Sequence, residues 1–130
     1  MAIRIVQLGA PRTPGDGLRI GTVRRPPRGV PKSEFAARDY YDTWLPELAP
    51  SDALVKAGQS AANDREWQAF VRRYRVEMKQ PGASRLLDLL AALSRTTSLS
   101  VGCYCADEAR CHRSVLKQLL EEHGALIEPL

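Results

Sequence analysis

Near its end the chain changes hydrophobic period within a few residues, and this change constrains the fold more than any other feature. Leu99, Val101, Cys103 and Cys105 alternate with Ser98, Ser100, Gly102 and Tyr104. A period of two predicts a strand over residues 98–105 with one apolar face. Val115, Leu116, Leu119 and Leu120 then recur at helical spacing, with Gly124 placed to end the helix. Residues 101–114 are therefore a strand end, a short turn and a helix N-terminus. They hold all three cysteines, one of the two histidines, and both Arg110 and Arg113. In open α/β sheets such a junction gathers ligands, because helix N-terminal amides and strand-end side chains converge there.

The rest of the chain supplies the elements that such a junction needs. Residues 3–8 read as a first strand, ended by Gly9 and a loop over residues 10–17 rich in proline and glycine. Residues 18–23 return as a second strand. The segment Arg24-Arg25-Pro26-Pro27-Arg28-Gly29-Val30-Pro31 follows as a rigid basic loop, whose prolines hold three arginines at modest entropic cost. Tyr40, Tyr41, Trp44 and Leu45 form an apolar cluster under a loop or a short helix. Ser51 can cap a helix through Leu54, Val55 and Ala57. Asn63 and Glu66 have capping-box spacing ahead of Trp67, Phe70, Val71, Tyr74 and Met78, which share one helical face and read as core. Pro81-Gly82 stops that helix, and Leu86, Leu89, Leu90 and Leu93 predict the next.

Length and charge limit what this arrangement can be. A chain of 130 residues with 44% hydrophobic content suits one domain over residues 1–130 with a single core. No apolar run approaches the roughly 18 needed to span a bilayer, and Met1-Ala2-Ile3-Arg4 lacks the layout of a signal peptide. The expectation is a soluble cytoplasmic protein. Three cysteines crowded into one segment argue against a disulfide framework and for reduced thiols or a metal site. The net charge of +4 is uneven: residues 1–40 hold eight Lys or Arg against three acids, and the other ninety hold eleven against twelve. A basic patch from that segment attracts phosphates or nucleic acid, although no nucleic-acid-binding motif accompanies it.

Three chemistries compete for the 101–114 stretch. In the first, amides at the start of the last helix, with His112, Arg113 and Ser114, meet Arg24 and Arg28 around an anion, and a phosphorylated small molecule or a nucleotide fits. In the second, Cys103, Cys105, Cys111 and His112 form a soft set suited to zinc. Against it, adjacent Cys111 and His112 are expected to diverge on a helix, and the spacing matches no familiar zinc module, so no metal is favoured. In the third, Cys105 or Cys111 is a thiolate near His112 and cationic groups, with Asp107 or Glu108 as proton carrier. Cys105 and Arg110 stand one residue too close for the Cys-x5-Arg loop of protein tyrosine phosphatases. Cys103 alone reads as a buried core thiol.

Several separated motifs carry a resemblance. Asp16-Gly17, Arg19-Ile20, Arg24, Pro27-Arg28-Gly29-Val30, Trp44-Leu45, Ala49-Pro50-Ser51 and Arg73-Tyr74-Arg75 follow the order and spacing of the YeaO-like uncharacterised family. Cys105-Ala106-Asp107 and Cys111-His112-Arg113 resemble the cysteine-alanine-acid and Cys-His-Arg signature of the wider group of domains of unknown function containing it. The resemblance spans nearly the whole chain. Val23 and Pro26 stand where an acid and a tryptophan are expected, and Cys103 is extra. The resemblance implies a compact α/β domain with a mainly parallel sheet flanked by helices, Rossmann-like and three-layered, with no established activity. The combined expectation is an anion site or nucleotide site, with Arg19, Arg24, Arg28, Arg113 and Ser114 binding the ligand. Cys105, Asp107, Cys111 and His112 are the catalytic candidates. The alternative is a non-catalytic module with zinc on Cys103, Cys105, Cys111 and His112, or a surface that meets nucleic acid.

Overall fold

A computed structural model describes residues 1–105 and 111–128. Strands β1 (Ile3–Gln7), β2 (Leu18–Gly21), β3 (Thr43–Trp44) and β4 (Leu99–Cys103) form one sheet in the order β1-β4-β2-β3, with every pair parallel. Helices α1 (Asp52–Gln59), α2 (Asp64–Met78), α3 (Pro81–Leu93) and α4 (His112–Glu122) complete a compact α/β fold consistent with three layers. β4 lies between β1 and β2, with Leu99 opposite both Ile3 and Leu18, and all five of its residues are buried. A strand paired on both edges has no polar backbone left for water, so its buried residues impose no cost in lost hydrogen bonds.

β1 and β2 both flank β4, so the chain must return between them. Parallel returns usually use a helix. Here a loop over residues 8–17 makes the crossing without one, and a buried charge network pins it. Arg19 donates from Nη2 to Asp16 at 2.8 Å and from Nη1 to the carbonyls of Ala10 and Asp39, both at 2.7 Å. Burial alone would raise the Asp16 carboxyl, but bonds from Thr13 and Arg19 outweigh it and hold the group below its ordinary value. Gly17 closes the turn with a φ of 59°.

The main core joins Ile3, Ile5, Ile20, Leu99 and Val101 of the sheet to Trp67, Phe70, Tyr74 and Met78 of α2 and to Val115, Leu116, Leu119 and Leu120 of α4. The predicted faces of these two helices are the buried ones. Asn63 Oδ1 accepts from the Glu66 amide at 2.9 Å, as the capping spacing requires. Beyond α4, Gly124 takes a φ of 91° and the Ala125 amide returns to the Leu120 carbonyl.

Elsewhere the expectations need correction. β2 ends at Gly21 and β4 at Cys103, two residues early in each case, because the ladder runs out: the Thr22 and Leu8 amides make the last bonds, to the carbonyls of Gly102 and Cys103. Thr43 and Trp44 form a short edge strand where a loop or helix was expected. Pro81 opens α3 at its first position, where the missing N–H costs nothing. The buried face of α3 is Ala83, Leu87, Leu90 and Ala91, whereas Leu89 is 53% exposed and Leu93 38%. Alanines, overlooked when leucines alone are counted, set this close-packed face. Ser51 occupies the position before α1, but its hydroxyl donates to Glu77 Oε2 at 2.6 Å and makes no cap.

The glycines give a paired test. A Cβ on Gly17 would sit 2.0 Å from the Ser98 carbonyl oxygen at a left-handed φ, so Gly17→Ala should cost more than about 2 kcal/mol. Gly82, helical and with nothing within 4 Å of an added Cβ, should gain about 0.5 kcal/mol as alanine. Urea unfolding of the two variants measures both signs.

Candidate active site

The C-terminal ends of β1, β2 and β4 open into a cleft of about 880 Å³. One wall is the basic loop, through Arg24, Arg25, Pro26, Pro27 and Arg28. Lys56 of α1 is also in the lining, with Tyr40 and Tyr104 among the aromatic residues and Cys103, Cys105, Cys111 and His112 forming the sulfur-bearing floor. The sheet positions each of these groups. Thr22, just past β2, bonds the Gly102 carbonyl through both its amide and its hydroxyl, at 3.0 and 2.9 Å, and so fixes the start of the basic loop. Arg24 then donates from Nε to the Pro50 carbonyl at 3.0 Å and from Nη2 to the Ala49 carbonyl at 3.1 Å, which ties the loop to the entry of α1. Arg25 pairs with Asp52 at 2.9 Å. Arg28 is exposed and has no ion pair among the described residues.

On the floor, His112 is held by Thr22. Its Nε2 lies 2.7 Å from the Thr22 carbonyl oxygen, an acceptor, so Nε2 carries the proton and Nδ1 keeps its lone pair. That Nδ1 faces Cys111 Sγ at 3.9 Å, and the Tyr74 ring packs edge-on against the imidazole at 5.7 Å. Burial pushes the imidazole down to about 4, against the opposing effect of the Thr22 bond, so it is neutral at physiological pH. The expectation that Cys111 and His112 diverge on a helix fails for a local reason. Cys111 is the residue before α4, with φ −129° and ψ 149°, and this extended backbone turns its thiol toward the ring.

The three thiols lie near enough to shift one another's ionisation. Cys103 and Cys111 are buried and Cys105 is exposed to the cleft. The neighbouring thiols Cys103 and Cys111, with the charge of Arg113 adding to their effect, outweigh burial and pull Cys105 down strongly. Cys103 is pushed up, first by Cys105 and then by Cys111 and burial. For Cys111 the effect of Cys103 acts downward, but Cys105 and burial prevail and the thiol rises. The group favoured as thiolate is therefore the exposed sulfur, while the two buried thiols are raised. Such a thiolate is the reactive form of cysteine.

The structure thus brings Arg24, Arg28, Cys105, Cys111 and His112 to one cleft, together with Cys103. Arg19, Arg113 and Ser114 do not line it. Arg19 is consumed in the buried network of the crossing loop, Arg113 is buried and donates to the Cys105 carbonyl at 2.7 Å, and Ser114 donates to the Cys111 carbonyl at 2.9 Å. Arg113 thereby positions the backbone that carries the exposed thiol. Asp107, Glu108 and Arg110 lie outside the described residues. Lys56 is a lining cation that the sequence reading missed, since nothing in the spacing of α1 ties it to a loop about thirty residues earlier.

A family model described as the active DUF488-N3 subclade, DUF488-N3a, matches residues 3–124. No curated protein and no solved structure matches the chain.

Thiol reactivity should divide along these lines. In the metal-free protein at pH 6, iodoacetamide should modify one thiol rapidly and two at least ten times more slowly, with the fast phase missing from Cys105→Ser. Mass spectrometry of the labelled peptides identifies the site, and equal rates for all three thiols would contradict the arrangement.

Proposed function

The chain belongs to the DUF488 family, a family of domains of unknown function, and from that premise we propose that its cleft binds a phosphate-bearing small molecule, a nucleotide fitting best, and acts on it. The observation that carries this reading is the sharing of one cleft by the arginine loop and the cysteine–histidine floor. Arg28 and Lys56, both in the lining, supply charge for the phosphate, and Arg24 braces the loop through the Ala49 and Pro50 carbonyls. Tyr40 and Tyr104 offer ring surface to a base. Cys105, the exposed thiol of the lining, is the nucleophile of this scheme, and His112 stands in the same lining. The description of the matching subclade as active agrees with a catalytic reading.

The finer placement that we favour is the YeaO-like branch, whose motifs now have physical roles: Arg24 binds the backbone of Ala49-Pro50, and Asp16 pairs with Arg19. No helix among the described residues is long and apolar enough to cross a membrane. Free thiols support a cytoplasmic setting. The closeness of Cys103, Cys111 and His112 favours a second reading of the floor, with zinc on it.

Isothermal titration with inorganic phosphate and with a nucleoside diphosphate tests the binding step. The affinity should fall as salt rises. Arg28→Ala should weaken it by about 10-fold or more, since a charge-assisted hydrogen bond is worth about 1.5–3 kcal/mol. An unchanged affinity in Arg28→Ala would remove the cleft as the phosphate site.

A further inference from the structure

We propose that the floor of the cleft is a soft-metal centre in which Cys103 Sγ, Cys111 Sγ and His112 Nδ1 hold a zinc ion, with the Cys105 thiolate as an exchangeable fourth ligand. The proposal deepens the phosphate reading by naming the cofactor of that site, and it rests on that reading only for the ligand that would meet the metal.

Four observations converge. The Cys103, Cys111 and His112 donor atoms all lie within 4.8 Å of one another. Bond lengths of about 2.3 Å to sulfur and about 2.0 Å to nitrogen place tetrahedral donors roughly 3.5–4 Å apart, and Cys111 Sγ is already 3.9 Å from His112 Nδ1. The Thr22 carbonyl holds the proton on His112 Nε2, which leaves Nδ1 as a lone-pair donor aimed into the cluster. This is the outer partner that metal-bound histidines commonly have. Cys103 and Cys111 are buried, so their sulfurs gather without competition from water. Finally, Cys105 is exposed and lines the same cleft as Cys103, Cys111 and His112.

Two sulfurs and an imidazole select zinc or a similar soft cation over magnesium or calcium. Binding replaces the S–H protons of Cys103 and Cys111 with the metal, and these leave to solvent, as does any proton on Cys105 when that sulfur ligates. A set of two cysteines and one histidine with an exchangeable fourth position is a composition that catalytic zinc sites use. Here that position opens toward the arginine loop, where a phosphate oxygen can displace Cys105. Cys103, which stands outside the motif pattern that the chain otherwise follows, acquires a purpose as the third protein ligand.

The experiment uses the full chain, reduced and stripped by a chelator, titrated with Co²⁺ as a coloured substitute for zinc. One equivalent should give thiolate-to-cobalt charge transfer and the visible bands of a tetrahedral ion, both bleached by zinc. Cys105→Ser, at an exposed position, should keep the stoichiometry and lose part of the charge transfer. Cys103→Ser should lose the tetrahedral spectrum while circular dichroism reports whether the fold persists. No saturable cobalt binding, an octahedral spectrum, or a Cys105→Ser spectrum identical to wild type would overturn the proposal. Inorganic phosphate added to the cobalt form should shift the visible bands in wild type and not in Arg28→Ala, which should bind cobalt normally. Tetrahedral cobalt without any phosphate response would sink the phosphate reading and leave the metal site standing. Phosphate binding through Arg28 in a protein that takes no cobalt would do the reverse.

Discussion

The buried pairing of Arg19 with Asp16 is the interaction on which the placement of the loops depends. Arg19 is 1% exposed, and a guanidinium out of water is tolerable only when its donors are answered. Asp16 and the carbonyls of Ala10 and Asp39 answer its two terminal nitrogens, Nε being left buried without a partner among the described residues, and those partners come from two different loops. Asp42 extends the network by accepting from the Arg19 amide at 2.8 Å and from Arg12. The segment around Tyr40 is thereby fastened to β2, and Tyr40 reaches the cleft. Removing Asp16 would leave the Arg19 charge buried without its counter-ion, a loss of roughly 3–5 kcal/mol, so this network underwrites both fold and cleft.

The basic excess of the first forty residues has two destinations. Arg4 bonds Asp16 and Glu128, Arg12 bonds Asp42, Arg19 is buried, and Arg24 holds carbonyls. These arginines serve as cross-links for a segment that has little regular structure of its own. Arg28 remains with its charge turned to the cleft. A sum over sequence cannot distinguish the two uses, because both produce the same +5.

What the sequence revealed depended on how local the determinants were. The cores of β1, β2 and β4, the helical faces of α2 and α4 and the Asn63 cap follow from periodicity and from short-range bonds, whereas the Thr43–Trp44 edge strand has no such local signal. The α3 face was misread because small residues, not leucines, line the close contact. Arg19, Arg113 and Ser114 were assigned to a ligand by their chemical type, but each is occupied by a backbone or buried partner that only the tertiary fold supplies. The gathering of Cys103 with Cys111 and His112 was discounted on helical geometry, which Cys111 escapes by remaining extended. Lys56 and the Thr22 carbonyl had no sequence signal at all.

Thr22 also joins two parts of the molecule that would otherwise be independent. Its amide and hydroxyl are anchored to β4, its carbonyl orients the imidazole of His112, and its neighbours in the chain begin the loop that carries Arg24 and Arg28. The loop that would grip a ligand and the ring that would serve the chemistry thus share one peptide group. A rotation of that peptide would release the proton-bearing nitrogen of the ring and redirect the arginines in the same movement. The basic loop and the imidazole are thus mechanically coupled through a single peptide.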